Sequence, residues 1–509
     1  MYQHNEKQLK IEEFELPFAG ELNKENRWVV LNGLIPWDLV EEEYLTIVSK
    51  KLGAPAFSAR VAFGSLLIKS KLNLSDRETV LMISENPYLQ FFIGFSKFIQ
   101  KDPFDASMLT YFRKRFFAKS LLLINEEIHR REILQKQSNE NESNDSDSDD
   151  DNNKPTPPFE SKEAEDNQDS SADLEYLEIK KKGKLLLDAT AIPADIAYPN
   201  DIKLINKARE RTEKVIDLLF PETDLKKKPR TYRKVARRNY LEFSRSKRRS
   251  YSKIRQYQRK QLGYLERNLR SITLLLESSS LEILDKVLYK SLLVSTEVSR
   301  QQREMYDTKT KRIDDRIVSI SQPHIRPIKR GKEHAPTEFG AKISISLIDG
   351  YVFVDTMSFD SYNEAGDLSR SAENYKRIFG YYPASIHADQ IYRNRNNIAW
   401  CKARGIRLSG PKLGRPSAAY LAELEHHKKE MKQDEKDRIP VEGKFGELKR
   451  KYGLDRIMTK LAQTTLSAIN FSVLVANLGK VCRFFWFLLF SCIKSSKNDL
   501  FLCCDYSEV

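Results

Sequence analysis

AKISISLIDGYVFVDTM, residues 341 to 357, alternates apolar and polar side chains on either side of Asp349-Gly350. Period-two alternation about an Asp-Gly pair predicts two antiparallel strands joined by a tight turn. Upstream, GKLLLDATAI (183 to 192) is a short apolar run, read as a buried strand with Asp188 at its tip. Downstream, NEAGDLSRSAENYKRIFG predicts a helix closed by Gly380, a residue suited to the left-handed C-cap. YPASIHADQ then gives a strand carrying Asp389, RNRNNIAWCKARG a helix and IRLSG a short strand. The order is strand, hairpin, helix, strand, helix, strand.

A further helix is expected in RIPVEGKFGELKRKYGL, residues 438 to 454. At 100 degrees per residue, Arg438, Glu442 and Lys449 fall within about 40 degrees of one another, and Glu447 points roughly 140 degrees away from Glu442. Pro440 is expected in the first helical turn, leaving Arg438 just outside it. A carboxylate flanked by cations suits a site that holds a divalent ion together with a phosphodiester. Two-ion phosphoryl transfer needs carboxylates that converge from distant parts of the chain. Asp188, Asp389 and Glu442 arrive in the order of a ribonuclease H-like arrangement: first strand, fourth strand, late helix. Asp355 and Glu364 are rival acids. His387, two residues before Asp389, reads as a core histidine, and the adjacent His426-His427 pair has no ligand spacing.

The 509 residues carry a net charge of +14, unevenly spread. Residues 138 to 175 hold 14 acids against two lysines, leaving +26 on the remainder, so a polyanionic partner is expected. That acidic run lacks the apolar residues needed to offset chain entropy and reads as a disordered linker. Residues 226 to 270 hold 18 Lys or Arg against two acids, with five tyrosines interleaved. They predict a helical arm that contacts nucleic acid through Arg233, Lys234, Arg237, Arg238, Lys247, Arg248 and Arg249.

Residues 35 to 136 read as short helices, with a capping box at Ser75 and Glu78 and a basic end, FRKRFFAK. A helix-turn-helix DNA reader and a plain helical bundle both fit. Five cysteines without a CxxC pair argue against zinc and disulfides and fit a reducing cytosol. The amino terminus is too polar for a signal peptide. VCRFFWFLLFSCI is too short to span a membrane and reads as a buried or interface helix. No P-loop occurs, so ATP is not implied.

At SDRETVLMISENPYLQFFIGF, LLLDATAIPADIAYPNDIKLINKARE, HADQIYRNRNN, GIRLSGPKLGRP and RIPVEGKFGELKRKYGL the chain resembles the DDE transposases of bacterial insertion sequences. The resemblance implies a ribonuclease H-like catalytic core, a mixed five-stranded sheet with helices at 177–200 and 338–460. A basic, mainly helical insertion at 201–337 would interrupt it. An all-α DNA-binding domain at 1–137, the acidic linker at 138–176 and a C-terminal helix and tail at 461–509 complete the chain. It implies Asp188, Asp389 and Glu442 as catalytic metal ligands for Mg2+ or Mn2+, two ions in all, with Arg438 and Lys449 on phosphate. The family's tyrosine, seven residues before the glutamate, is Glu435 here. Implied partners are double-stranded DNA, as terminal inverted repeats and target, and a second copy of the chain in the synaptic complex. The expected location is the bacterial cytoplasm at the nucleoid, with no membrane association. The alternative is a decayed or domesticated relative that binds DNA without cutting it.

Overall fold

The computed structural model describes residues 10–16, 20–47, 56–144, 182–329, 337–411, 413–414 and 424–502. Beyond residue 144 the acidic linker lies outside the described residues.

Seven helices come first: α1 (Arg27–Leu34), α2 (Trp37–Leu45), α3 (Ala59–Leu72), α4 (Asp76–Glu85), α5 (Pro87–Phe92), α6 (Met108–Arg115) and α7 (Ala118–Asn144). Their starts follow from local chemistry. The Ser58 hydroxyl accepts the Val61 N–H at the head of α3, and Ser75 and Glu78 make the expected capping box on α4. The basic end of α6 is largely used internally. Arg113 donates to both carboxylate oxygens of Asp76 (2.9 and 2.7 Å), and Arg115 donates to the Tyr44 hydroxyl.

The sheet is mixed. β1 (Lys184–Pro193) pairs antiparallel with β3 (Thr337–Ile348) and parallel with β5 (Ser385–His387), which pairs parallel with β6 (Arg407–Leu408). The far side of β3 carries β4 (Tyr351–Ser358) along most of its length and β2 (Arg326–Lys329) at its start. Asp349 and Gly350 turn the β3–β4 hairpin with φ of 47° and 78°, as the Asp-Gly signal requires. Six strands form where five were expected. The extra one, β2, is a four-residue proline-containing edge strand, too short to show alternation.

Between β1 and β2 stand four helices, α8 (Asp201–Leu219), α9 (Arg233–Arg245), α10 (Tyr251–Leu275) and α11 (Lys286–Asp307). They bury apolar clusters of their own, such as Leu204, Ile205, Leu262, Leu265 and Val298. This helical unit leaves and rejoins the sheet across one residue. Gly340 pairs with Pro193, the last residue of β1, on one side and with Arg326, the first of β2, on the other.

After the hairpin come α12 (Leu368–Phe379), closed by Gly380 at φ 82°, then α13 (Arg395–Ala403), α14 (Leu424–Lys451) and α15 (Ala462–Leu502). One continuous apolar cluster joins α1–α7, the sheet, α12 and α15, so the core does not stop at residue 137. Phe471 of α15 packs on Phe63 and Phe116. Asn477 reaches the Asn125 side chain and the backbone of Val352. The stretch Ala462–Arg483 is long and apolar enough to cross a membrane, but 83% of it is buried inside the protein, which makes it a core helix. Most side chains of VCRFFWFLLFSCI lie outside the described residues.

Candidate active site and nucleic-acid surface

The last paired residues of the parallel strands are Leu186 of β1 and His387 of β5. Asp188 and Asp389 stand two residues beyond them, so the two acids leave the same end of the parallel pair. Asp188 is not at the tip of its strand. β1 continues to Pro193 because β3 pairs with it that far, and only the shortness of β5 places Asp188 at an edge.

α14 supplies the third acid. It begins at Leu424, well before the expected start, and Pro440 lies inside it. Arg438 is therefore helical, and Arg438, Glu442 and Lys449 share one face. The proline removes one backbone donor, yet contacts on both sides hold the helix through it: Asp434 and Asp437 before, Val441 and Phe445 after.

Two of the acids act on the third, Asp188. Burial pushes the Asp188 carboxyl above its ordinary range, the Ala189 N–H and Arg438 pull it back, and the charges of Asp389 and Glu442 raise it again. Arg438 stands 3.5 Å from Asp389, and Lys449 donates to the Thr190 hydroxyl on β1 at 3.1 Å. Asp188 also accepts the Ala189 N–H at 2.8 Å and Asp389 the Gln390 N–H at 2.7 Å. No three His, Cys, Asp or Glu side chains among the described residues stand at metal-caging spacing. The donor chemistry nonetheless suits a hard cation: three carboxylates, one of them more than half exposed, with no thiolate beside them.

The rival acids have other partners. Asp355 accepts from Ser346 (2.5 Å) and Asn374 (3.5 Å), and Glu364 pairs with Lys342. Glu447 turns to Lys444 (2.9 Å) and Arg483 (3.6 Å), away from the acids. His387 is buried, shares a hydrogen bond with Ser385 (2.9 Å) and faces Asp434, as expected of a core histidine.

The seven basic-arm residues divide into three sets. Arg233 is committed to Asp217 (2.7 Å), and Arg249 caps the end of α9 through the carbonyls of Ser244 and Ser246 while lying over Phe243. Lys247 and Arg248 are exposed. Lys234, Arg237 and Arg238 line an open groove of about 820 Å³ together with Arg245 and Lys253. Sequence reasoning missed those last two, although Arg245 sits seven residues after Arg238 and helical periodicity alone would have put them on one face.

A mixed sheet that gathers acids from two strands and a late helix, beside a cationic helical unit, defines an α/β protein equipped to handle polyanions. Comparison with known proteins makes this specific. A family model described as "Transposase DDE domain" matches residues 386–479, and one described as "Transposase domain (DUF772)" matches 17–115. An uncharacterized protein, ORF8 in the nfe locus of Rhizobium meliloti, is 38% identical over 100 residues, which are 20% of this chain and 48% of that protein. The chain thus matches about half the length of this relative. No solved structure matches. Two separate segments of the chain, 17–115 and 386–479, are thus each similar to a transposase family.

Proposed function

We propose that the protein is a DNA transposase that cleaves the ends of an insertion sequence and joins the freed 3'-hydroxyl to target DNA, using a ribonuclease H-like core. The observation that carries this reading is that Asp188 and Asp389 leave the same end of the parallel strands, with Arg438 of α14 3.5 Å from Asp389 and the charges of Asp389 and Glu442 both felt at Asp188. Asp188, Asp389 and Glu442 would hold Mg2+ or Mn2+, two ions in all. Such ions activate the attacking oxygen and neutralise charge on the phosphate. Both steps are in-line displacements at phosphorus: water displaces the 3'-oxygen at the element's end, and that 3'-oxygen then displaces one in the target strand.

Arg438 and Lys449 neutralise non-bridging phosphate oxygens, with Lys449 held over β1 by Thr190. The groove of Lys234, Arg237, Arg238, Arg245 and Lys253 takes the duplex phosphates flanking the cleaved bond. Two ends must be held together, so the acting assembly is a homodimer or larger, working on DNA in the cytoplasm.

The test uses the full chain, a duplex carrying the element's two ends, and Mg2+ or Mn2+, with Asp389→Asn as control. Strand-transfer products that vanish in the variant support the reading. Cleavage without joining points to a simple nuclease, and binding without cleavage to a decayed relative; either outcome ends the proposal.

A further inference from the structure

α14 lies on the sheet along a single stripe whose chemistry changes at Pro440. After the proline the stripe is apolar: Val441, Phe445 and Leu448 sit in the core against the hairpin strands. Before it, at the same helical spacing, come Glu430, Asp434 and Asp437. Asp434 is 7% exposed, and its carboxylate accepts two N–H bonds from Arg407 of β6 (2.8 and 2.9 Å) and one from the Gly410 backbone (3.2 Å). The buried Nδ1 of His387, on β5, stands 3.5 Å from the same carboxylate. Glu430 takes the Nε of Arg407 at 2.9 Å, and Asp437 takes Lys184 of β1 at 2.7 Å. The clamp thus ties the helix to β1, β5 and β6 together.

Two of those strands carry Asp188 and Asp389 two residues beyond their last parallel pair, Leu186 and His387. Arg438 and Glu442 follow Asp437 and Val441 by one residue, which sets the acid-bearing face about 100 degrees around the helix from the docking stripe. A rotation or slide of α14 would carry Arg438 away from Asp389 and Glu442 away from Asp188. Apolar contacts are non-directional and tolerate such sliding, whereas the guanidinium fork of Arg407, with Nη2 on both oxygens of Asp434 and Nε on Glu430, fixes both distance and angle. We infer that Asp434 and Arg407 are positioning residues, which set the register of α14 so that Glu442 and Arg438 meet the two aspartates. The inference rests on the metal-dependent reading above.

The test measures Mn2+ uptake by the full chain without DNA, through the paramagnetic signal of the free ion, alongside the Tm of each protein. Asp434→Asn keeps the volume and removes the charge. Arg407→Lys keeps the charge and removes the fork. A double variant, Asp434→Leu with Arg407→Met, replaces the pair by apolar packing, a change that often leaves stability intact. Glu442→Gln is the reference that alters a ligand directly. Register control predicts that Asp434→Asn and the double variant weaken Mn2+ binding about tenfold, as removal of supporting partners does at metal sites. Arg407→Lys weakens it several-fold with an unchanged Tm.

Wild-type affinity in the clamp variants, with affinity lost in Glu442→Gln, overturns the inference and spares the metal site. Weakened uptake confined to variants whose Tm has collapsed overturns it too, because the clamp is then merely structural. A wild-type chain that takes up no Mn2+, or a Glu442→Gln chain that binds it normally, removes the metal reading itself.

Discussion

Replacing Asp355 by asparagine should flatten the dependence of stability on pH. Burial pushes this carboxyl from an ordinary 3.8 to about 6, against the pull of hydrogen bonds from Ser346, Ser371 and Asn374. Below the unfolded value the group is neutral in both states and costs nothing. As pH rises toward the folded value the unfolded chain ionises first, so stability falls, and the loss is complete above about pH 6. A displacement of roughly two pKa units corresponds to about 3 kcal/mol, of which about 2 kcal/mol falls between about pH 4.5 and pH 7.5. Urea unfolding followed by tryptophan fluorescence reads the right part of the molecule, since Trp28, Trp37 and Trp400 belong to the core shared by the first helices and the sheet. The difference between variant and wild type at each pH cancels any fixed effect of the amide. Asp355→Asn should gain about 2 kcal/mol on the wild type across that interval. Parallel curves would refute the reasoning and return Asp355 to the list of ionised acids able to compete for a metal.

Phe471→Ala removes the ring between Phe63 and Phe116 and should cost about 3–5 kcal/mol in the same assay, with a loss under about 1 kcal/mol contradicting the packing. Gly340→Ala would set a Cβ 1.9 Å from the Ile192 carbonyl, forcing β1 and β3 apart where the helical unit joins the sheet. The expected result is loss of native circular dichroism, and a normal Tm would show the close approach to be wrong. Changing Lys234, Arg237, Arg238 and Arg245 together to alanine should lower the slope of log K against log salt for a mixed-sequence duplex by about 3–4. Arg233→Ala should instead lower Tm slightly, because it removes one of the two cations, with Lys228, that hold Asp217. Lys449→Ala should reduce strand cleavage about a hundredfold with folding intact, and undiminished cleavage would exclude it from the phosphate site.

What the sequence made legible was local. The Asp-Gly turn, the Gly380 cap and the Ser75 capping box each follow from a few adjacent residues. The rest depended on partners far along the chain. Asp188 reads as a strand tip from its own segment, yet its position at an edge is set by the three-residue length of β5. Pro440 reads as a helix start, and only contacts to Arg407 and Lys184 on one side and the hairpin core on the other carry the helix across it. The union of α1–α7 with α15 and the sheet pairs residues hundreds of positions apart, which no periodicity encodes. Arg407 and Asp434, 27 residues apart, carry no motif that would link them.

Because the four-helix unit departs after Pro193 and returns at Arg326 on either side of Gly340, its two ends are only two strand spacings apart, about 10 Å. To the sheet, more than a hundred residues are therefore a wide loop with its ends already closed. Such a module can be lengthened, shortened or exchanged at little entropic cost to the catalytic framework, since closure cost grows only with the logarithm of length. Replacement of the cassette would then leave the strands on either side of one glycine where they are.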